Sequence, residues 1–335
     1  MPEIRVKNLI IDQLSSDITL HKDSIENRFM IDEAFVKIKD FIHKPDSSHK
    51  ITASDFDITV AKYSTFLNNS NTSISFDTVR LQRQQLSLLN FKLNTEDQKQ
   101  PVLQTAAFNL RQLDWYTLLI YKRLVAYEAI VLNPIVRATI KPANQSDKKA
   151  NMVVFTSLLG FLEVELFSLK NATAYLKFTE QNANVILKGT NATIRINEII
   201  ESTSLNEGLN AIENISIQDL SLKSENLNGQ MNDFVLYKDS PFIGKISFHS
   251  GDRISFLADG FKVQKVDWNA SLKNLTLNGL GWKSATINIK ENEPLQKVTE
   301  PASKMPSLRL NKLNGNNTEI GFSKPGVNFR TLLYQ

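Results

Sequence analysis

The side chains of this sequence that could do chemistry are few and scattered. The four histidines, His21, His43, His49 and His249, fall in no HExxH or paired-ligand spacing that would hold a metal. His43 occupies a slot that the surrounding pattern reserves for apolar residues, which reads as a structural role. Asp55 and Asp57 share one face of an alternating segment and could hold a cation, although outward carboxylates are usually only solvated. Gly279-Leu280-Gly281-Trp282-Lys283-Ser284 has the composition of a phosphate loop but the wrong spacing, so a turn with a strand is the better reading. No G-x-S-x-G elbow, Walker loop or dinucleotide fingerprint is present. Without cysteine there is no disulfide framework and no thiolate metal site. The expectation is a protein that is not an enzyme, with no catalytic residue, no metal and no cofactor.

The bulk numbers narrow the class further. A length of 335 residues suits either a large core or an elongated sheet. With 12 Gly and 10 Pro, collagen-like and Gly-rich Ca²⁺-binding repeats are disfavoured. A net charge of +4 is weak over this length and points to no nucleic-acid partner, while a pI of about 9.0 leaves room for a membrane surface. The apolar run Met152 to Leu162 is far short of the roughly 20 residues that span a bilayer. Tyr116 to Leu132 is interrupted by Lys122, Arg123 and Glu128. The opening MPEIRVKNL lacks the charged head and apolar block of a signal peptide.

What the chain does carry is a recurrent apolar spacing, φ-x-φ-x-x-φ-x-φ. It occurs twice in the segment Phe108 to Ile140, first at Phe108, Leu110, Leu113 and Trp115, then at Val125, Tyr127, Ile130 and Leu132. Further copies fall at Ile4, Val6, Leu9, Ile11; at Val36, Ile38, Phe41; at Leu162, Val164, Phe167, Leu169; and at Ile215, Ile217, Leu220, Leu222. Phe261, Val263, Val266, Trp268 and then Ala270, Leu272, Leu275, Leu277 continue it, and Leu308, Leu310, Leu313 close the series. A strand alternates faces with period two, so the x-x step breaks parity. All four apolar residues stay on one face if two residues there oppose a single partner residue, which is a β-bulge. Arg111-Gln112 and Glu128-Ala129 contain no Gly or Pro, which favours a bulge over a turn.

The elements that would carry this spacing are short strands. Ile18 to Leu20 reads as a return strand after the first copy, Ser64 to Ser73 as a turn, and Asn133-Pro134 as a break. Asp114 can cap a short helix bearing Trp115, Leu118 and Leu119. Another helix is expected at Thr156 to Phe161, and residues 197–213 suit either a helix or a polar loop. The stretches 141–151 and 290–305 read as mobile loops. Two pairs of segments also share identities. FKVQKVDW at 261–268 matches FNLRQLDW at 108–115, and PSLRLNKL near the end matches PEIRVKNL at the start. Internal similarity of this kind predicts a repetitive, mainly β architecture: a long, twisted and curved antiparallel sheet with a few short helices.

The run LRQLDWYTLLIYKRLVAYEAIVLNPIVRATI resembles the signature unit of AsmA-like proteins of Gram-negative bacteria: an apolar strand, an aspartate with an aromatic residue, a short helix, then an alternating strand ending in Asn-Pro. FTSLLGFLEVELFSLKNATAYLKF and MPSLRLNKLNGNNTEIGF look like further units. The resemblance is clearer over 76–335 and weaker over 1–75, and makes 1–335 one elongated, repetitive fragment of a longer chain. It implies a bridge-like lipid transfer fold whose apolar groove holds acyl chains. The partner implied is phospholipid or another acyl-chain lipid, with an anchor in the inner membrane supplied from outside this chain, a periplasmic location and a role in outer-membrane biogenesis. The groove residues would be Phe108, Leu110, Leu113, Trp115, Tyr127, Ile130, Leu132, Val164, Phe167, Ile217, Leu220, Phe261, Val263, Val266, Trp268, Leu272 and Leu275. The alternatives are a structural or adhesive β-solenoid or sandwich, and a scaffold for outer-membrane protein assembly.

Overall fold

A computed structural model describes residues 3–22, 25–44, 51–67, 71–96, 100–121, 123–140, 162–180, 182–201, 211–237, 240–268, 274–290, 307–310, 312–324 and 327–333. The chain is mainly β, with two short helices among the described residues. Both expected mobile loops, apart from Lys290, and the expected helix at Thr156 to Phe161 lie outside the described residues. The chain divides into two compact units, Met1–Arg137 with Ala143–Lys170, and Ala138–Pro142 with Asn171–Gln335.

The first unit is built from β1 (Ile4–Lys22), β2 (Ile25–His43), β3 (Ile51–Thr52), β4 (Asp55–Leu67), β5 (Thr72–Gln82), β6 (Gln85–Thr95), β7 (Leu103–Arg111) and β8 (Leu124–Leu132). Successive strands pair antiparallel, with β4 taking its place beside β2. Between β7 and β8 lies α1 (Trp115–Tyr121), which begins where Asp114 caps it. The Thr117 backbone N–H donates to Asp114 Oδ1 at 3.0 Å and the Thr117 hydroxyl to Oδ2 at 2.7 Å. Asn133-Pro134 ends β8, and β9 (Ile135–Ile140) follows. The next strand, β10 (Leu162–Phe178), runs parallel to β8.

The second unit continues with β11 (Ala183–Arg195), a helix at Ile196–Glu201, β12 (Ile212–Lys223), β13 (Leu227–Tyr237), β14 (Ser240–Ser250) and β15 (Ile254–Trp268). These are antiparallel neighbours in chain order from β11 onward. The long strand β15 then pairs with both β16 (Asn274–Trp282) and β17 (Ser284–Lys290). Finally β18 (Ser307–Leu310) and β19 (Leu313–Gly315) lie parallel to β16. In the same way β20 (Thr318–Lys324) lies parallel to β17, with β21 (Val327–Leu333) antiparallel beside it. Antiparallel pairing thus dominates, as expected, with a few parallel joins. Each follows a connection long enough to bring the chain back in its original direction.

The x-x steps behave differently from the expected bulges. In β11 and β12, Leu187 faces Leu220 and Lys188 faces Asp219 on one side of the step, and Asn191 faces Ser216 on the other, with no residue gained or lost on either strand. Two residues therefore oppose two, and the step in one strand lies opposite a step in the next. We refer to such a column of steps as a crease. At many such steps, within the recurrent spacing at Asp40 and Gln112 and outside it elsewhere, one residue is left-handed. Asp40, Lys62, Asn90, Gln112, Asn171, Gly189, Asp233 and Gly260 all have φ between 49° and 61°. Glycine reaches this region without steric cost, and Asn and Asp reach it more readily than other side chains. On the neighbouring strands β5, β12 and β14 the same column passes through Asp77, Gln218 and Gly244, none of which is left-handed. The register does shift where β1 pairs with β2 around Leu14, with one extra residue in β1 before it and one extra in β2 after it. That irregularity corrects the expected return strand: Ile18 to Leu20 belongs to one continuous strand from Ile4 to Lys22, with Gln13 at φ 56° absorbing the step.

Candidate apolar binding surface

Because creases line up, the apolar residues line up too, in rows that cross the strands. In the first unit one row runs Ile11, Val36, Ile58, Leu81, Leu86, Leu110, Ala129, Phe167, each paired with the next. The adjacent row runs Leu14, Ala34, Val60, Val79, Leu88, Phe108, Val131, Leu169. Neither contains a polar residue. Eight strands at about 4.8 Å spacing make each row about 34 Å long. Most of these side chains are half-buried, while Leu110 and Ala129 are fully buried.

The opposite face reads differently. Lys37, Asp57, Gln82, Gln85, Arg111 and Glu128 form a register row of their own. Its charges pair across strands. Arg80 Nε donates to Asp57 Oδ1 at 3.0 Å, and Arg111 meets Glu128 at 3.5 Å. The Arg80 guanidinium, chiefly by hydrogen bonding, holds the Asp57 carboxyl below the usual aspartate range against a smaller opposing effect of burial. Asp55 in turn lies 3.8 Å from Lys39, so both carboxylates of the Asp55/Asp57 pair face a cationic side chain.

The second unit repeats the plan. One row runs Leu187, Leu220, Met231, Ile246, Ala258, Ala285 and Thr318; another runs Val185, Leu222, Gly229, Phe248, Phe256, Ile287 and Ile320. Across the crease, Ile217 pairs with Phe234, Phe234 with Ile243, and Ile243 with Phe261. Phe261 stacks on Trp282 with ring centroids 6.5 Å apart. The Trp282 indole N–H donates to the Thr318 hydroxyl at 2.8 Å, so this polar handle is satisfied while the ring stays in the apolar cluster. The Gly279-to-Ser284 run is the end of β16, the crease and the start of β17, and the Lys283 side chain packs against Gly260.

The expected groove residues separate on this framework. Phe108, Leu110, Val164 and Phe167 fall into the rows of the first unit, Val164 opposite Ala126. Leu113 is buried beyond the step, with Arg111 and Gln112 both exposed. Ile217, Leu220, Phe261 and Val263 fall into those of the second, Val263 opposite Leu280. The copy at Val125 to Leu132 stands one residue out of frame. Its buried apolar places are Ala126 and Ala129, with Val131 half-buried beyond them, whereas Tyr127 is 42 % exposed. Ile130 faces Asn109 and Leu132 faces Ala107, so both project from the face opposite Phe108 and Leu110. That face is covered here as well, since Ile130 and its neighbour Ser168 are buried.

The two matched octets also part company. Trp115 opens α1 and packs edge-on against Phe56 at 5.2 Å, whereas Trp268 ends a strand. Val266 and Trp268 pair in backbone register with Leu277 and Leu275. The side chains of Val266, Trp268 and Leu275, and Leu272 altogether, lie outside the described residues. Sequence reasoning missed Leu81, Leu86, Leu88, Phe248 and Phe256 as row members. Strand alternation marks each of them as inward, but only the pairing register joins them into rows.

Among the described residues no three His, Asp or Glu side chains converge in a way that could hold a metal ion, and no helix is long and apolar enough to cross a membrane. No family model, curated protein or solved structure matches the chain.

Proposed function

We propose that the apolar rows line a groove that binds the acyl chains of phospholipid and conducts lipid between the membranes of a cell envelope, without catalysis. The observation that carries this reading is the pair of unbroken apolar rows in the first unit, about 34 Å long and mostly half-exposed, where a packed core would bury them. That length is close to the roughly 30 Å thickness of a bilayer's hydrocarbon core. Exposed apolar surface of this extent ordinarily marks a binding face. Acyl chains cover it without needing hydrogen bonds, at roughly 0.8 kcal/mol per buried CH₂. The mechanism is passive. Lipid tails slide along the rows, the headgroup stays in water, and no single residue carries the affinity. The resemblance of the sequence to AsmA-like units supports the same reading and would imply a periplasmic role in outer-membrane biogenesis.

Mass spectrometry of the protein purified from membranes tests this reading. Co-purifying phospholipid, lost on substitution of half-exposed row residues, is the expected result. Protein that carries no lipid and binds none on reconstitution would leave the apolar rows as a structural core.

A further inference from the structure

On the polar face of the second unit, four neighbouring strands bring Asn184, Lys223, Asn228 and His249 into one register row. The next row on that face holds Ser221, Gln230 and Ser247. Each of these residues alternates with an apolar row member, so they project away from the apolar rows. Together they line a cavity of about 710 Å³, within the range of about 300–1,000 Å³ typical of small-molecule sites. Leu222 and Gly229, which lie between the two rows along their strands, and Ile186 complete its lining.

Two features characterise this patch. No carboxylate lines it. Among the described residues, none of its seven polar side chains has a hydrogen bond or an ion pair. Elsewhere on the same face Asn232 donates to Asp219 at 2.6 Å. The patch therefore offers amide and hydroxyl groups around one uncompensated lysine. Strand spacing puts Lys223 and His249 about 10 Å apart, one on each side of Asn228. That separation leaves room for a single anionic group between them, and amides with hydroxyls beside it suit vicinal alcohols.

We propose that this cavity binds a phosphate carried on a polyol. The phosphate lies over Asn228, held by Lys223 with His249 on its far side. The alcohol groups meet Gln230, Ser221 and Ser247. The same chemistry is offered by a free polyol phosphate and by the headgroup of a glycerophospholipid, and the test separates the two. Glycerol 3-phosphate is titrated calorimetrically into the full chain, with glycerol and inorganic phosphate as controls. In parallel, the chain is sedimented with phosphatidylcholine vesicles prepared with and without phosphatidylglycerol. Lys223→Gln and Asn228→Ala are compared with the parent, after circular dichroism has shown unchanged melting.

The expected result is binding in at least one arm, weakened about tenfold or more by Lys223→Gln, because a charge-assisted hydrogen bond is lost. Loss in the soluble arm identifies a free phosphate ester as the ligand, and loss only with phosphatidylglycerol vesicles identifies a headgroup. Binding in neither arm, or binding that Lys223→Gln leaves unchanged, overturns the site. Inorganic phosphate binding as tightly as glycerol 3-phosphate overturns the assignment of a polyol.

Discussion

Phe256 and Phe261 lie five residues apart on one strand, yet their rings meet edge to face with centroids 6.4 Å apart. Strict alternation would send them to opposite faces of the sheet. They meet because Ala258, Asp259, Gly260 and Phe261 contain a parity switch, with Gly260 at φ 61°. Trp282 touches both rings, at 6.3 Å from Phe256 and 6.5 Å from Phe261. The crease is thus a sheet-wide device that keeps apolar residues on one face where the sequence period would divide them.

The left-handed glycine in that switch should be hard to replace. Gly260→Ala places a Cβ in an unfavourable backbone region, costing about 1–2 kcal/mol. It also brings that Cβ to 2.8 Å from the Lys283 side chain. Gly251, at φ 50° in a turn, has nothing within 4 Å. Urea denaturation should therefore show Gly260→Ala to be more destabilising than Gly251→Ala, the excess reporting the contact with Lys283.

The charged row should give a pH-dependent contribution. The folded pKa of Asp57 is lowered, chiefly by its hydrogen bond from Arg80. The stabilisation is then complete above the unfolded aspartate pKa and is lost as pH falls through the lower folded value. Arg80→Gln should lower stability only slightly at neutral pH, since the arginine is half exposed and its pairing is screened by water. Denaturation midpoints of parent and variant should converge as the pH is taken below the depressed Asp57 pKa.

Adjacent residues on opposite faces should respond oppositely. Leu88 belongs to an apolar row and is half-buried, whereas its neighbour Ser87 faces Arg80. Leu88→Asp should lower stability by about 1–3 kcal/mol and weaken lipid retention, because a carboxylate would replace apolar contact. Ser87→Asp, placed opposite an arginine, should stay within about 0.5 kcal/mol of the parent. Denaturation curves for the two variants decide the point.

Leu110 should behave as core. It is fully buried, between Leu86 and Ala129 in its row. Leu110→Ala should cost about 2–5 kcal/mol in denaturation measurements. Half-exposed Leu88 and Phe248 are the better positions at which to probe a ligand.

Much of this was legible in the residues, and the exceptions have physical causes. Leu110 and Leu113 are both buried around exposed Arg111 and Gln112, as φ-x-φ-x-x-φ predicts. The segment Val125 to Leu132 supports two frames, and side-chain size favoured the wrong one. Tyr127 and Ile130 look like the apolar places, but the register with β7 sets Ala126 and Ala129 there. A strand's frame is decided by its neighbour, and a shift of one residue moves every side chain to the other face. The same dependence explains why FNLRQLDW and FKVQKVDW differ. Asp114 caps a helix in the first, while in the second the strand runs on through Asp267, which pairs with Thr276. Alternation along a strand is a local property, but the rows exist only between strands.

The central claim is that lipid lies along the apolar rows, and site-specific photo-crosslinking tests it most directly. Benzoylphenylalanine is introduced singly at Leu88 and Phe248 in the rows, and at Ser87 and Lys245 on the opposite face. Each protein is irradiated in membranes and its adducts are identified by mass spectrometry. Phospholipid adducts at Leu88 and Phe248, with none at Ser87 and Lys245, are the predicted result. Adducts equally frequent on both faces, or absent from all these positions, would contradict it.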